Sequence, residues 1–139
     1  MTRWIVDANV LIYIIDGRNE QFAPRARAAL QHAQSQNITL YIPVAVLAEV
    51  VYVLLENEQF QYPRDQVADA LLELVQTPGI ECQDKEAVIW ALKRFREKDI
   101  DFVDAYCAGL AMDSGDPVLT NDRDIIKLGR QFDVPVRSI

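Results

Sequence analysis

Short apolar runs alternate with longer segments of helical periodicity along this chain. The apolar runs are four residues or fewer and are bounded by proline, glycine or charged residues, which is typical of buried strands. The last run, 134–136, closes the chain. The predicted strands occupy residues 4–6, 39–42, 79–82 and 117–120.

The longer segments predict helices, because their apolar residues recur at spacings of three and four. Asp84 and Asp101 are the expected N-caps of the fifth and sixth helices, and Gly17 is expected to end the first. Pro43 suits the first turn of the third. The predicted helices cover 9–15, 20–35, 43–57, 63–76, a segment after Asp84, a segment from Asp101 through Met112, and a short segment after residue 120.

Strands that alternate with helices predict an α/β fold, namely a three-layer α/β/α sandwich around a mainly parallel sheet. We expect one domain over residues 1–139 and the strand order 3-2-1-4-5. Ligands in such sheets bind at the carboxyl ends of the strands, near the point where the strand order reverses. Side chains that follow the strands are therefore the first candidates for function.

Composition excludes several classes of protein. Half of the residues are hydrophobic, which favours a folded core over disorder. The longest apolar stretch, 43–55, is interrupted by Glu49 and is too short to span a bilayer. The N-terminus lacks the features of a signal peptide, so we expect no membrane association and a cytoplasmic location.

Cysteine and histidine chemistry is not indicated. Cys82 and Cys107 have no paired metal-binding spacing, and we interpret both as buried reduced thiols. The only histidine, His32, lies in a polar helical segment and is expected at the surface. A histidine-dependent triad and a histidine-rich zinc site are therefore improbable.

Acidic residues form the main candidate site. Asp7 ends the first strand and Asp122 follows the fourth, so adjacent placement of these strands would bring both carboxylates to one crevice. Asp104 lies in the first turn of its helix, where the helix dipole favours the ionised form. The small residues Ala105, Ala108 and Ala111 would let this helix lie close to the sheet.

Glu49 is the fourth candidate, because it interrupts an otherwise apolar helix in which an unpaired charge would be costly. Pairing with an arginine is the alternative for this residue. Four carboxylates in one cleft require a compensating cation, and oxygen ligands favour Mg²⁺ or Mn²⁺ over zinc. Asp124 is either a further metal ligand or a solvated residue at a helix start. Asp101 is more simply explained as a cap.

These acids lie in four short motifs that resemble those of the PIN domain family of metal-dependent ribonucleases. The motifs run in the family's order from one end of the chain to the other. They are IVDANVL at 5–11, IPVAVLAEV at 42–50, DFVDA at 101–105 and LTNDRD at 119–124.

The resemblance implies an α/β/α fold and hydrolysis of single-stranded RNA with Mg²⁺ or Mn²⁺. It implies that Asp7, Glu49, Asp104 and Asp122 hold metal. It also implies that Asn9 and Thr120 orient those carboxylates. A stand-alone domain of this length looks most like the toxin of a VapBC-type toxin–antitoxin pair, usually a homodimer silenced by a small antitoxin. The apolar helices 43–57 and 63–76 would suit either a dimer face or the core.

Surfaces for a nucleic acid are less clearly indicated. The net charge of −7 argues against binding by bulk positive charge, although bound metal and local arginines can supply a positive field. Arg123 adjoins Asp122 and is the best candidate for phosphate binding, together with Lys127 and Arg130. A second basic cluster, of residues Lys93, Arg94, Arg96 and Lys98, is better interpreted as a solvated face.

Other functions remain open from the residues. A haloacid dehalogenase-type phosphatase would need an aspartate where Asn9 stands, and a receiver domain would need a lysine after a strand, where Lys127 is not. A solitary RNA-processing nuclease would carry the same four motifs. A non-catalytic PIN scaffold that binds RNA or protein is the alternative from another class, and the presence of all four acids counts against it.

Overall fold

The computed structural model describes residues 2–139, which form five strands and seven helices. The strands are β1 (Arg3–Ile5), β2 (Thr39–Ile42), β3 (Ile80–Cys82), β4 (Val118–Thr120) and β5 (Val136–Ser138). The helices are α1 (Ala8–Asp16), α2 (Phe22–Ser35), α3 (Val44–Glu56), α4 (Arg64–Val75), α5 (Lys85–Glu97), α6 (Phe102–Ser114) and α7 (Arg123–Phe132). The α/β prediction is confirmed.

Two compact units make up the chain. The N-terminal unit ends at Gln83, and the C-terminal unit is Asp84–Ile139. The strands of each unit are parallel, in the order β1-β2-β3 in the first and β4-β5 in the second. Both match segments of the predicted order 3-2-1-4-5. The junction of β1 with β4, and a single domain over the whole chain, stay predictions.

In the N-terminal unit, β2 is the middle strand, with Leu40 opposite both Trp4 and Ile80. Helix α1 packs against α2 and α3, and α3 packs against α4. The buried apolar positions of α3 and α4 fill the core of this unit, and a dimer face on these helices stays a prediction. Their buried residues are Val44, Leu47, Val50, Val51, Leu54, Val67, Ala68, Leu71, Leu74 and Val75.

Helix boundaries follow local chemistry. Gly17 ends α1 in the left-handed conformation, at φ 72°, with its N–H bonded to the carbonyl of Tyr13. Pro43 and Pro63 stand just before their helices with extended ψ angles of 147°, so Pro43 precedes the first turn instead of lying within it. The missing N–H of proline costs nothing at these positions, because helix starts leave their amides unpaired.

In the C-terminal unit, the closest approach of α6 is to α5. A Cβ built on Gly109 would lie 2.4 Å from the carbonyl oxygen of Ala87, so only glycine fits there without displacing backbone. Ala105, Ala108 and Ala111 are buried on the same helix. Gly109 thus serves the packing of α6 on α5; α6 also contacts β4, and the predicted packing of the three alanines on the sheet stays a prediction.

The predictions for Cys82 and His32 are confirmed, whereas the prediction for Cys107 is wrong. Cys82 is buried and free, but Cys107 is only partly buried, so its predicted burial is wrong. Its pKa is raised by the burial that it does have and by the nearby Asp104 carboxylate. His32 is exposed, as expected, and its ring stacks on Trp4 with centroids 6.1 Å apart.

No helix in residues 2–139 is long and apolar enough to cross a membrane.

Candidate functional site

The two acids that follow strands both cap helices. Asp7 precedes α1, and its Oδ1 accepts a hydrogen bond of 2.8 Å from the N–H of Ala8. Asp122 precedes α7, and its Oδ1 accepts bonds from the N–H groups of Asp124 at 2.8 Å and Ile125 at 3.2 Å. The unpaired amides at a helix start favour an ionised carboxylate there. Each acid is therefore held in position by its own helix.

The predicted caps Asp84 and Asp101 occupy the N-cap positions of α5 and α6, but neither side chain makes a capping bond within residues 2–139. Asp84 has a left-handed backbone, with φ 51° and ψ 46°, instead of the extended conformation usual at an N-cap. Its carboxylate accepts the hydroxyl hydrogen of Tyr106. The capping function assigned to these two side chains is wrong.

Thr120 supports Asp122 through the backbone. Its Oγ1 accepts a 2.9 Å hydrogen bond from the N–H of Asp122, which fixes the turn that carries the carboxylate. Asn9 was expected to orient Asp7 in a similar way. Within residues 2–139 its side chain makes no hydrogen bond to Asp7, and it lines a cleft of the N-terminal unit instead.

Negative charge is crowded around Asp104. This residue lies in the first turn of α6, is partly buried, and has a raised pKa. Burial is the largest cause, followed by repulsion from Asp122, Asp101 and Asp124. The helix start favours the ionised form of an acid, but burial and then the three neighbouring carboxylates oppose it, and a bound cation would offset both effects. Arg123 beside them is exposed, and none of the ion pairs among residues 2–139 involves it.

Glu49 is exposed on α3, which contradicts the premise that it stands among buried apolar side chains. The buried stripe of α3 runs through Leu47, Val50 and Leu54, and Glu49 points away from that stripe. It lines, with Asn9, a cleft of about 510 Å³ in the N-terminal unit. The hydration of an exposed carboxylate removes the energetic argument for its role, while its metal-binding role stays a prediction.

The sequence model of the PIN domain matches residues 4–131 of the chain. The chain belongs to the PIN domain family. PIN domains are generally nucleases, and commonly metal-dependent ribonucleases. No curated protein matches this sequence closely enough to identify a relative. The motif resemblance is therefore confirmed at the level of the family, and the particular likeness to a VapBC toxin stays a prediction.

The metal ligands predicted for this PIN domain fall two in each unit, with Asp7 and Glu49 in the first and Asp104 and Asp122 in the second. Within residues 2–139, no three His, Cys, Asp or Glu side chains are grouped closely enough to hold an ion as they stand. The donor chemistry nevertheless fits, because the acids crowded around Asp104 are hard oxygen donors with uncompensated charge.

A clasp that the sequence did not reveal contributes Asp16, Arg18 and Gln59 to the lining of the same cleft. Arg18 donates from Nε to Asp16 Oδ1 at 2.7 Å and from Nη2 to the carbonyl of Gln59 at 3.0 Å, and the hydroxyl of Tyr62 donates to the same Asp16 oxygen. Burial acts to raise the pKa of Asp16, but the bonds from Tyr62 and Arg18 outweigh it and lower that pKa. The bonded residues lie 41 and 46 positions apart, so no local motif signals them.

The basic cluster before the third motif is not uniformly solvated. The Arg94 guanidinium lies 4.4 Å from the ring centroid of Phe132 and 5.0 Å from that of Trp90, and it approaches Glu97 at 3.9 Å. Lys93 and Arg96 are exposed. Arg94 therefore helps to hold α7 against α5. The Lys98 ammonium also approaches the Phe132 ring, at 5.9 Å from its centroid, so only Lys93 and Arg96 match the solvated face that the sequence predicted.

Proposed function

We propose that this PIN domain is a divalent-metal-dependent endoribonuclease that hydrolyses phosphodiester bonds of single-stranded RNA in the cytoplasm, as the toxin of a toxin–antitoxin pair. Asp7, Glu49, Asp104 and Asp122 hold Mg²⁺ or Mn²⁺, with Asp124 as a further ligand. The observation that carries the proposal is the placement of Asp104 in the first turn of α6 near Asp101, Asp122 and Asp124, where burial and then the charges of these three acids oppose its ionisation. Family membership supports the reaction class.

The residues of the chain do the work of positioning. Helix starts hold one oxygen of Asp7 and one of Asp122, which leaves the second oxygen of each carboxylate for a ligand. Thr120 fixes the turn before α7. The exposed guanidinium of Arg123 is suited to bind a phosphate oxygen. A divalent cation at these acids, when bound, stabilises charge on a phosphoryl group.

The proposed partners are an RNA substrate, a second copy of this chain and a small antitoxin that masks the acids. Support for the antitoxin and the homodimer comes from the motif resemblance alone. Co-expression with the product of a short neighbouring reading frame tests the antitoxin: growth arrest by this chain should be relieved only when both are made. Sedimentation over a range of concentrations tests the dimer.

A divalent-metal titration against a pool of cellular RNAs tests the reaction. Wild type should cut RNA with Mg²⁺ or Mn²⁺ and stop when EDTA is added, and Asp7→Asn should abolish cutting. Asp65→Asn is the matched control, because Asp65 is also exposed and its Oδ1 also accepts from the next N–H, at 3.0 Å. Asp65 belongs to none of the four motifs, so this variant should cut RNA at the wild-type rate.

Two outcomes would contradict the proposal. Cleavage that persists unchanged in EDTA would exclude the metal mechanism. RNA binding without cleavage under every metal would favour the non-catalytic scaffold, the alternative in which the four acids no longer act. A nuclease that cuts RNA but arrests no growth would instead be a solitary RNA-processing enzyme.

A further inference from the structure

The cleft of the N-terminal unit is lined by both the predicted ligand Glu49 and the Arg18 of the clasp. Asn9 and Glu49 line it together with Arg18, and the other lining residues come from α1, α3 and the segments that follow these helices. Arg18 is the only lysine or arginine among the lining residues in the described part of the chain. In a protein of net charge −7, a cation placed inside a cleft requires an explanation.

The Arg18 guanidinium is fixed by hydrogen bonds but keeps N–H donors that a ligand can bind. Its side chain is 60% exposed, although Nε and Nη2 are bonded to Asp16 and Gln59. A further N–H faces the Tyr62 hydroxyl, and an arginine has five N–H donors, so two remain for a ligand among the described residues. Because the guanidinium is already fixed, a ligand that binds the remaining donors loses little side-chain entropy.

The carboxylate that fixes Arg18 is shielded. Asp16 is only 7% exposed, and its Oδ1 is taken by both Arg18 and the Tyr62 hydroxyl. The negative member of the pair therefore lies beneath the surface while the positive member is exposed to the cleft.

The other groups near Arg18 suit a nucleotide. The rings of Tyr13 and Phe60 line the cleft, with the Arg18 guanidinium 5.5 Å from the Phe60 centroid, and the amide side chain of Asn57 lines it as well. Single-stranded RNA is bound by combinations of aromatic rings, amides and arginines, because its bases are unstacked and its phosphates are exposed.

We propose that the Arg18 end of this cleft binds a phosphodiester of single-stranded RNA next to the bond that is cut. This inference rests on the proposed function, since it takes Glu49 to mark the reacting end. Arg18 contacts the phosphate through its unpaired N–H groups, and the Phe60 ring lies beside the attached base. The clasp of Asp16 and Tyr62 positions the arginine and does not contact the RNA.

Salt dependence of RNA binding tests the phosphate contact. Binding of a labelled single-stranded oligoribonucleotide is measured by fluorescence anisotropy in the Asp7→Asn background, so that the RNA stays intact. Each phosphate contact to a single strand contributes about 0.7 to the slope of log K against log salt. Arg18→Gln should lower the magnitude of the slope by about 0.7. In the active protein it should raise KM about tenfold with little change in kcat, since uniform binding is lost.

Arg3→Gln is the matched control. Arg3 is also half exposed, pairs with an acid (Glu81, at 3.2 Å) and lies over an aromatic ring, but it does not line the cleft. Its loss should leave both slope and KM unchanged. Tyr62→Phe is the second variant, because it weakens the clasp and keeps the cation. It should retain the wild-type slope even if its melting temperature falls.

The outcomes separate this inference from the proposed function. If wild type cuts RNA with metal while Arg18→Gln keeps the wild-type slope and KM, the phosphate contact is wrong and the nuclease stands. If Tyr62→Phe flattens the slope as much as Arg18→Gln, the effect is structural and the inference fails. If an acidic peptide is bound through Arg18 and RNA is not, the cleft serves a protein partner. If nothing is cut under any metal, the proposed function fails regardless of the slopes.

Discussion

Asp122 has two roles that substitution can separate. Its carboxylate caps α7 through the N–H groups of Asp124 and Ile125, and its charge opposes the ionisation of Asp104. Asparagine caps a helix about as well as aspartate but carries no charge, whereas alanine provides neither a cap nor a charge. Comparing Asp122→Asn with Asp122→Ala therefore distinguishes the requirement for folding from the requirement for activity.

The expected magnitudes follow from these contacts. Asp122→Ala should lower the free energy of unfolding by about 1 kcal/mol through loss of the cap. For a chain of this length that corresponds to a fall of about 4 °C in melting temperature. Asp122→Asn should melt at or slightly above the wild-type temperature without metal, because the cap is kept and one repulsive charge near Asp104 is removed.

Thermal melting in EDTA and in Mg²⁺, together with the RNA cleavage assay, measures both roles. A free metal concentration about a hundredfold above Kd should stabilise wild type by about 2.7 kcal/mol. Both variants should lose most of that gain, and both should lose cleavage. Equal melting temperatures for the two variants would refute the capping argument. Wild-type cleavage or a wild-type metal response in Asp122→Asn would refute the role of its charge.

Three further changes test the clasp, the helix packing and the exposed glutamate. Tyr62→Phe should lower the free energy of unfolding by about 1.5–3 kcal/mol at neutral pH, because a hydrogen bond to a charged carboxylate is lost. The bond to Asp16 raises the pKa of Tyr62 in the folded protein. The stability difference between wild type and Tyr62→Phe should therefore be present below pH 10.0 and vanish as the pH rises through the pKa of folded Tyr62. If urea unfolding finds the same stability difference at higher pH, the assignment of this bond is contradicted. Gly109→Ala should destabilise the protein by about 1–3 kcal/mol despite the better helix propensity of alanine, because the new Cβ meets a backbone carbonyl of α5 at 2.4 Å. An unchanged or raised melting temperature would show that α5 and α6 move apart at little cost. Glu49→Gln should abolish cleavage without changing stability, and Glu56→Gln, an exposed change on the same helix, should do neither; equal cleavage by the two variants would remove Glu49 from the site.

Local chemistry made most of the fold predictable, and the same chemistry explains two errors at the site. The turn at Gly17 and the helices after Pro43 and Pro63 follow from residues next to one another. The exposure of Glu49 was also present in the sequence, because Leu47, Val50 and Leu54 define one buried stripe and Glu49 lies off it. Further valines lie off this stripe, so the helix looked apolar on all sides and the stripe was not recognised.

Capping was assigned to the wrong acids for a related reason. Asp7 and Asp122 were interpreted only as ligands, so their capping of α1 and α7 was missed, and Asp84 and Asp101 were given a side-chain capping role at α5 and α6 that they do not have. A carboxylate has two oxygens and can serve a helix and a ligand together. The Arg18 clasp was beyond sequence reasoning, because its partners meet only after α1 and α3 have packed.

The cap at Asp122 also affects what a random mutation in the gene can produce. One base change converts an aspartate codon to an asparagine codon, and the resulting protein should fold because the start of α7 keeps its hydrogen bonds. An allele of this kind would yield a folded but inactive protein that still competes with the active protein for the same binding partners. For a harmful enzyme, such alleles should be among the first survivors in a selection against its activity.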